Sequence, residues 1–495
     1  MKLFLQNLLH GLNSSRVRFA VIILFCLLIS PIKAQNVSCS VSNKVYVASG
    51  QTGKARVLLN NWERNYQVNS ISYTLYLNGT TSEERNIELP KPLTYDGNVS
   101  IDIEVPAANR PGLDAFSVTI VKVNGQPNRN GFATSGSERF TLSRAVWRKA
   151  VVEELTSMFC QHCPSGIASL ERLNHVAPDR VIGLAAHSDD ALGVGDYYQV
   201  FREFTGRPKI ILNGRNVVSP YMGNSGTSKN SFGLLSDVEQ VSGFQQTPVE
   251  LKVQAAWSAD RKSIEVRSLT TFRCPIEKNK YRLAYALTAD NLKDPSFLQY
   301  NNYSGDPDWA NSVPEMQFFY KANRVVRGMA YNDVVIAAKD IHKGMQGSLP
   351  ERIQLDTPFE HTHHFGNFGF SKGFRFVKKD TKVHAVVIVI DPETREIINA
   401  ERCVVGDKIE PFPQDPVPSP NVQKIILPEN QTQQLYSEFT LQPQISPKEA
   451  TSAIVWEVAD NTIISALGGG KFRAIKPGKT TITARAQDAG GVTAQ

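Results

Sequence analysis

The sequence predicts a multidomain chain of mixed α+β and all-β character, in which β-sandwich units surround a single α/β segment. Three observations carry this expectation. Short alternating strands broken by turns fill both the stretch before residue 145 and the stretch from 247 to 410. Between them the pattern switches to strand, helix, strand, helix. A proline-rich run, "EPFPQDPVPSPN", then sets off one last small β unit. The length of 495 residues allows three or four domains.

Residues 1–34 read as a secretory signal peptide. Lys2, Arg16 and Arg18 precede an eleven-residue apolar core, Phe19 to Ile29, and Ala34 is a small residue before a cut. The core is too short to span a bilayer as a mature helix, and no later stretch approaches ~20 apolar residues. A lipid anchor through Cys39 is disfavoured, because Asn36 stands where such a site wants an aliphatic residue. The signal takes four basic residues and no acids with it, leaving 50 basic against 47 acidic residues from an initial net charge of +7. A nearly balanced mature chain argues against a nucleic-acid partner. It also keeps five of the six cysteines, Cys39, Cys160, Cys163, Cys274 and Cys403, and is far too large to need disulfides for its core.

Residues 35–145 form the first expected β-sandwich. In "SISYTLYL", Ile71, Tyr73 and Leu75 alternate with small polar partners, the period of a half-buried strand, and "NG" supplies a turn. Residues 146–246 form the α/β segment, 247–410 a second β-sandwich, 411–421 the linker and 422–495 the last β unit.

The chemistry concentrates in "VVEELTSMFCQHCPSG", Val151 to Gly166. Val151, Val152 and Leu155 make a short buried strand. Pro164 suits a first helical turn, where its missing N–H costs nothing. The helix should bury Ile167, Leu170, Leu173 and Val176. This places Cys160 at a positive helix N-terminus, which stabilises a thiolate, with Cys163 one turn away to close a disulfide. A working redox pair, a disulfide that only staples a loop, and a soft metal site of Cys160, His162 and Cys163 that lacks a fourth ligand are all open readings. Haem attachment is excluded, because Pro164 stands where CxxC-His needs histidine.

The segment resembles the active-site stretch of the thioredoxin superfamily, and more narrowly that of secreted thioredoxin-like proteins related to a 28-kDa outer membrane protein. Glu154, six residues before Cys160, matches the buried acid that moves the proton of the second cysteine. "AHSDD" and "DYY" match that family's His-x-x-Asp and Tyr positions. "FTGRPKIILNGRN" resembles the loop that presents a cis-proline to the disulfide, making Pro208 that residue. Phe159 stands where the superfamily usually has Trp, and Ser157-Met158 replaces a more usual pair. The resemblance covers about residues 35–410 and implies a thioredoxin-like domain flanked by β-sandwiches. It further implies thiol–disulfide exchange with Cys160 as nucleophile, Cys163 as resolving cysteine, His162 favouring the thiolate, and Phe159 and Arg207 meeting the substrate. No cofactor is expected. Exported proteins with thiols or disulfides are the implied partners, in the periplasm, at the outer membrane or outside the cell. The rival reading is a non-catalytic surface protein that binds a protein or glycan through its β domains.

Elsewhere, "FEHTHHFG" groups His361, His363 and His364, which reads as a solvated hairpin loop rather than a metal site. A disulfide between Cys274 and Cys403 suits an oxidising compartment, although connectivity cannot be read from sequence. "GDPDWANS" reads as a turn rather than a calcium loop. The last unit resembles the bacterial immunoglobulin-like group 2 domain, with Trp456 in a central strand and Pro477-Gly478 turning into an alternating strand. Gln495 falls about where the final strand of such a domain begins, so that strand is either very short or cut off.

Overall fold

The computed structural model describes residues 36–41, 44–226, 228, 231–242, 245–366, 368, 371–412, 422–448, 450, 452, 454–486 and 491–495. The expected signal peptide, and the linker beyond residue 412, lie outside the described residues. The protein is β-rich, and its described residues divide into two compact units, one drawn from 36–45, 52–106 and 114–139, the other from 46–51, 107–113 and 140–495.

In the first unit, strand Thr52–Asn61 pairs antiparallel with Val37–Val41 on one side and Asn98–Pro106 on the other. Val99, Ile101, Ile103 and Val105 are buried while their neighbours are exposed, the period-2 signature of a strand with one wet face. A second sheet contains Val68–Leu77, whose Ile71, Tyr73 and Leu75 are buried. Arg139 is also buried there, with Asp114 holding its Nε and Nη2 at 2.8 and 3.0 Å.

The second unit is organised on one eight-stranded sheet. Its strands in chain order are β1 (Ala150–Thr156), β2 (Val181–His187), β3 (Lys209–Leu212), β4 (Asn216–Val218), β7 (Arg282–Ala289), β8 (Val334–Lys339), β10 (Val383–Ile390) and β11 (Ile397–Val404). A separate antiparallel sheet joins β5 (Val249–Trp257), β6 (Ser263–Phe272) and β9 (Pro358–Gly366). The spatial order of the large sheet is β4-β3-β1-β2-β8-β7-β10-β11. Helix α1 (Pro164–Val176) connects the parallel pair β1 and β2. Ile167, Leu170 and Leu173 are buried as the spacing predicts, and Val176 only half so.

This sheet crosses the domain boundary expected at residue 246. β2 pairs with β8 through Ala185 and Val334, so strands from the predicted second sandwich complete the α/β sheet. Alternation tells which face of a strand is buried but not which strand lies beside it. Both faces of the sheet are covered: Ala150, Val152 and Ala185 belong to one core, Val151, Leu155 and Ala186 to the other.

The His-rich run is corrected likewise. It is the strand β9, not a hairpin loop. His361 Nδ1 meets the Tyr285 hydroxyl at 2.6 Å, and burial, helped by the Lys339 charge, pushes His363 down to about 4. Near the C-terminus, Trp456 is buried on Ile454–Val458, a strand at the edge rather than the centre of its three-stranded sheet, where Ile482–Ala486 is flanked on its other side by Thr493–Ala494. "GDPDWANS" is a turn carrying a short 3-10 helix, Pro307–Trp309, capped by Asp306.

Candidate functional site

β1 runs into a tight turn and then directly into α1, which brings the cysteines to the helix start. Cys163 is the N-cap, and its carbonyl accepts from the backbone N–H groups of Gly166 and Ile167 at 2.9 and 3.2 Å. Cys160 and Cys163 are joined by a disulfide, with their Cα atoms 5.3 Å apart. Cys163 is fully buried, Cys160 is half-buried, and His162 and Phe159 are exposed. The cysteine exposed to a partner is therefore the first one.

Two glutamates sit side by side on β1 with opposite surroundings. Glu153 faces the core of Leu155 and Tyr197, where Arg395 clamps it with bonds of 2.7 and 3.0 Å. Glu154 faces the α1 side. It has no exposed surface, and neither carboxyl oxygen has a hydrogen-bond partner. Burial pushes Glu154 up to about 8; the Thr156 hydroxyl offsets part of this without forming a hydrogen bond, and the charges of Glu171 and Asp333 add to the rise. Gly166 makes room for the carboxyl, since a Cβ there would lie 2.3 Å from Glu154 Oε1. Glu154 lines a small cavity with both apolar and polar walls, the polar ones including Glu171, His187, Tyr331 and Asp333.

His187 and Asp190 form a buried pair, Nδ1 to Oδ2 at 2.8 Å. Burial alone would raise Asp190, but His187 and the backbone N–H groups of Met158 and Leu192 outweigh it and hold the carboxyl below its usual range. Through Met158 the pair also anchors the turn before the disulfide. The Arg207–Pro208 peptide is cis, and Pro208 enters β3, whose Lys209 pairs with Leu155 of β1. The Arg207 Nη2 pairs with Asp189 Oδ2 at 2.7 Å, which offsets the guanidinium charge.

No motif in the sequence points to the segment that backs the turn. Tyr300 N–H donates to the Met158 carbonyl (2.9 Å), Gln299 Nε2 to Cys160 (3.1 Å), Asn302 N–H to Gln161 (2.9 Å) and the Tyr303 hydroxyl to His162 (3.2 Å). Phe159 and Tyr300, both exposed, pair with ring centroids 6.0 Å apart and form an aromatic rim beside Cys160. These residues lie about 140 positions from the cysteines, beyond the reach of any spacing motif.

Cys274 and Cys403 are free thiols, not a disulfide, and burial pushes each up to about 12. Cys403 pairs with Ala385 in the large sheet, while Cys274 follows β6 of the other sheet. Among the described residues, no group of three or more His, Cys, Asp or Glu is arranged to hold a metal ion.

No family model matches the chain, and no curated protein does. Likeness to solved structures is weak. HBP35 of Porphyromonas gingivalis is 19% identical over 71% of this chain and 98% of its own, at a TM-score of 0.34. The CARDB domain of the PF1109 protein from Pyrococcus furiosus is 13% identical over 22% of this chain and 94% of its own, at 0.18. The alkylpurine DNA glycosylase AlkC of Pseudomonas fluorescens is 16% identical over 27% of this chain and 42% of its own, at 0.15.

Proposed function

We propose that this chain is an exported thioredoxin-like protein that carries out thiol–disulfide exchange on other exported proteins. The observation that carries the reading is the unequal burial of the two cysteines, with Cys160 accessible and Cys163 covered. In the reducing direction, the Cys160 thiolate attacks a disulfide sulfur of the partner and expels one partner thiolate. Cys163 then loses its proton to Glu154 and attacks the Cys160 sulfur. The mixed disulfide breaks, the second partner thiolate leaves, and the Cys160–Cys163 bond is restored; the oxidising direction is the reverse. The helix start supports the thiolate at Cys160, and Phe159 and Tyr300 offer a rim for a partner chain. No helix among the described residues is long and apolar enough to cross a membrane.

Cys160→Ser is expected to abolish turnover of a protein disulfide, while Cys163→Ser should accumulate a mixed disulfide with the partner, visible by mass spectrometry. Wild-type protein as inactive as Cys160→Ser would overturn the exchange reading. A non-catalytic binding protein would then be favoured, and the tethering of the cysteine turn by residues 299–303 suits that second reading, since a pinned disulfide makes a rigid binding surface.

The direction of exchange follows from what adjoins Cys160. An imidazole at His162 stabilises the thiolate and hence the reduced pair, making the disulfide the better oxidant. The expected potential is nearer the isomerase value of about −180 mV than the thioredoxin value of about −270 mV. His162→Ala should lower it. Equilibration with glutathione buffers measures both, and a value at or below that of thioredoxin would assign a reductase instead.

A further inference from the structure

The small cavity that Glu154 lines brings together more chemistry than the exchange reading uses. Its polar walls are Glu154 from β1, Glu171 from α1, His187 from β2, and Tyr331 and Asp333 ahead of β8. Several of these are committed to partners. Tyr331 donates its hydroxyl to Gln299 Oε1 at 3.0 Å, Asp333 accepts from Asn174 and lies 3.6 Å from Arg402, and Glu171 accepts from Asn332 at 3.5 Å. Two groups are not: both oxygens of Glu154, and Nε2 of His187. Each belongs to a residue with at most 1% of its surface exposed. In β1 and β2, Glu154 stands opposite Ala185 and Thr156 opposite His187, so Glu154 and His187 share one face of the sheet.

The direction of proton flow is set by Asp190. Its carboxylate already accepts from the Met158 and Leu192 N–H groups, and it can serve His187 only as an acceptor, so Nδ1 carries the proton. In the neutral ring, Nε2 is then a buried acceptor without a partner, on a residue that lines the cavity. We propose that His187, oriented by Asp190, is the second proton station of the exchange site, taking through one water in this cavity the proton that Glu154 receives from Cys163. This inference rests on the exchange reading. The step balances: the Cys163 thiol proton passes to the Glu154 carboxylate as the Cys163 sulfur bonds to Cys160, then through water to Nε2, giving an imidazolium held by the Asp190 carboxylate. The imidazolium then releases this proton to solvent, so the resting oxidised protein holds the neutral ring, and a proton re-enters by the same route when the pair is next reduced. A carboxyl kept protonated at neutral pH by burial cannot accept a second proton until it has passed on the first, and His187 is the acceptor that empties it.

The test uses the full oxidised protein labelled with ¹⁵N-histidine and ¹³C-carboxyl glutamate, with Glu154→Gln and His187→Gln assigning the signals. Two interacting groups should titrate as a pair, so Glu154 should show a two-step curve that collapses to one step in His187→Gln, with His187 Nε2 unprotonated in wild type. A one-step Glu154 curve indifferent to His187→Gln, or a neutral ring protonated on Nε2, would overturn the relay. The tautomer is read from wild type alone, so the test stands even if a variant fails to fold. In single-turnover reduction by dithiothreitol, His187→Gln should slow the reaction by at least about tenfold while leaving the equilibrium potential unchanged. A coupled titration in a protein that never exchanges would sink the exchange reading, whereas normal exchange with an uncoupled titration would sink the relay alone.

Discussion

Arg395→Met is expected to destabilise the second unit by about 3–5 kcal/mol, the cost of leaving a buried charge without its partner. Glu153 has no exposed surface and Arg395 is 4% exposed, and the guanidinium meets both carboxylate oxygens while Nη1 also donates to the Gly214 carbonyl at 2.6 Å. Methionine keeps an apolar stem against the Phe204 ring, over which the guanidinium lies at 5.2 Å, so the loss isolates the charge rather than the packing. The double variant Glu153→Leu/Arg395→Met should recover part of the loss, because an apolar pair can replace a buried ion pair at little net cost. Urea unfolding of the three proteins at pH 7 measures this. A loss below about 1 kcal/mol in the single variant would mean that water reaches the pair.

Glu154→Gln is expected to stabilise the protein at high pH and to flatten the fall in stability across the neutral range. The folded carboxyl titrates near 8 against 4.5 for the free side chain. Between these values the folded chain keeps a proton that the unfolded chain has released. Stability therefore falls as pH rises through this window, and is level with respect to this group below 4.5 and above 8. A displacement of this size corresponds to on the order of 5 kcal/mol. Glutamine cannot ionise, so the two unfolding curves should lie close at pH 4.5 and separate progressively to pH 8. A shallower slope should persist in the variant, because burial also raises Glu171 and Glu239 to about 7 and Asp333 to about 6. Curves that stay parallel from acid to alkaline pH would show that Glu154 is not the group responsible.

The contrast between these two glutamates shows what the sequence could disclose. The acid six residues before Cys160 was legible, as were the strand, the helix and the buried stripe of α1, because all lie within one short window of periodic sequence. Glu153, one position away, was not, since its meaning depends on Arg395, 242 residues further on. Pairing of β2 with β8 was hidden for the same reason: Val334–Lys339 reads as an apolar strand, but nothing in its composition says which strand it joins. His361 and His363 were misjudged because clustered imidazoles look polar, whereas on β9 they alternate with exposed residues and turn toward Tyr285.

The backing of the cysteine turn by residues 299–303 carries a consequence for biosynthesis. A chain that emerges N-terminus first presents Cys160 and Cys163 long before Gln299, Tyr300 and Tyr303 exist to hold their carbonyls, and longer still before β8 fills the middle of the sheet. At about 5–20 residues per second, the roughly 180 residues separating Cys160 from the end of β8 take on the order of ten to thirty seconds to follow. During that interval the two thiols are neighbours on a half-built scaffold, open to any oxidant that reaches them. The bond can close before its surroundings are complete, and the late-arriving wall then locks in place a disulfide that the nascent chain has already made.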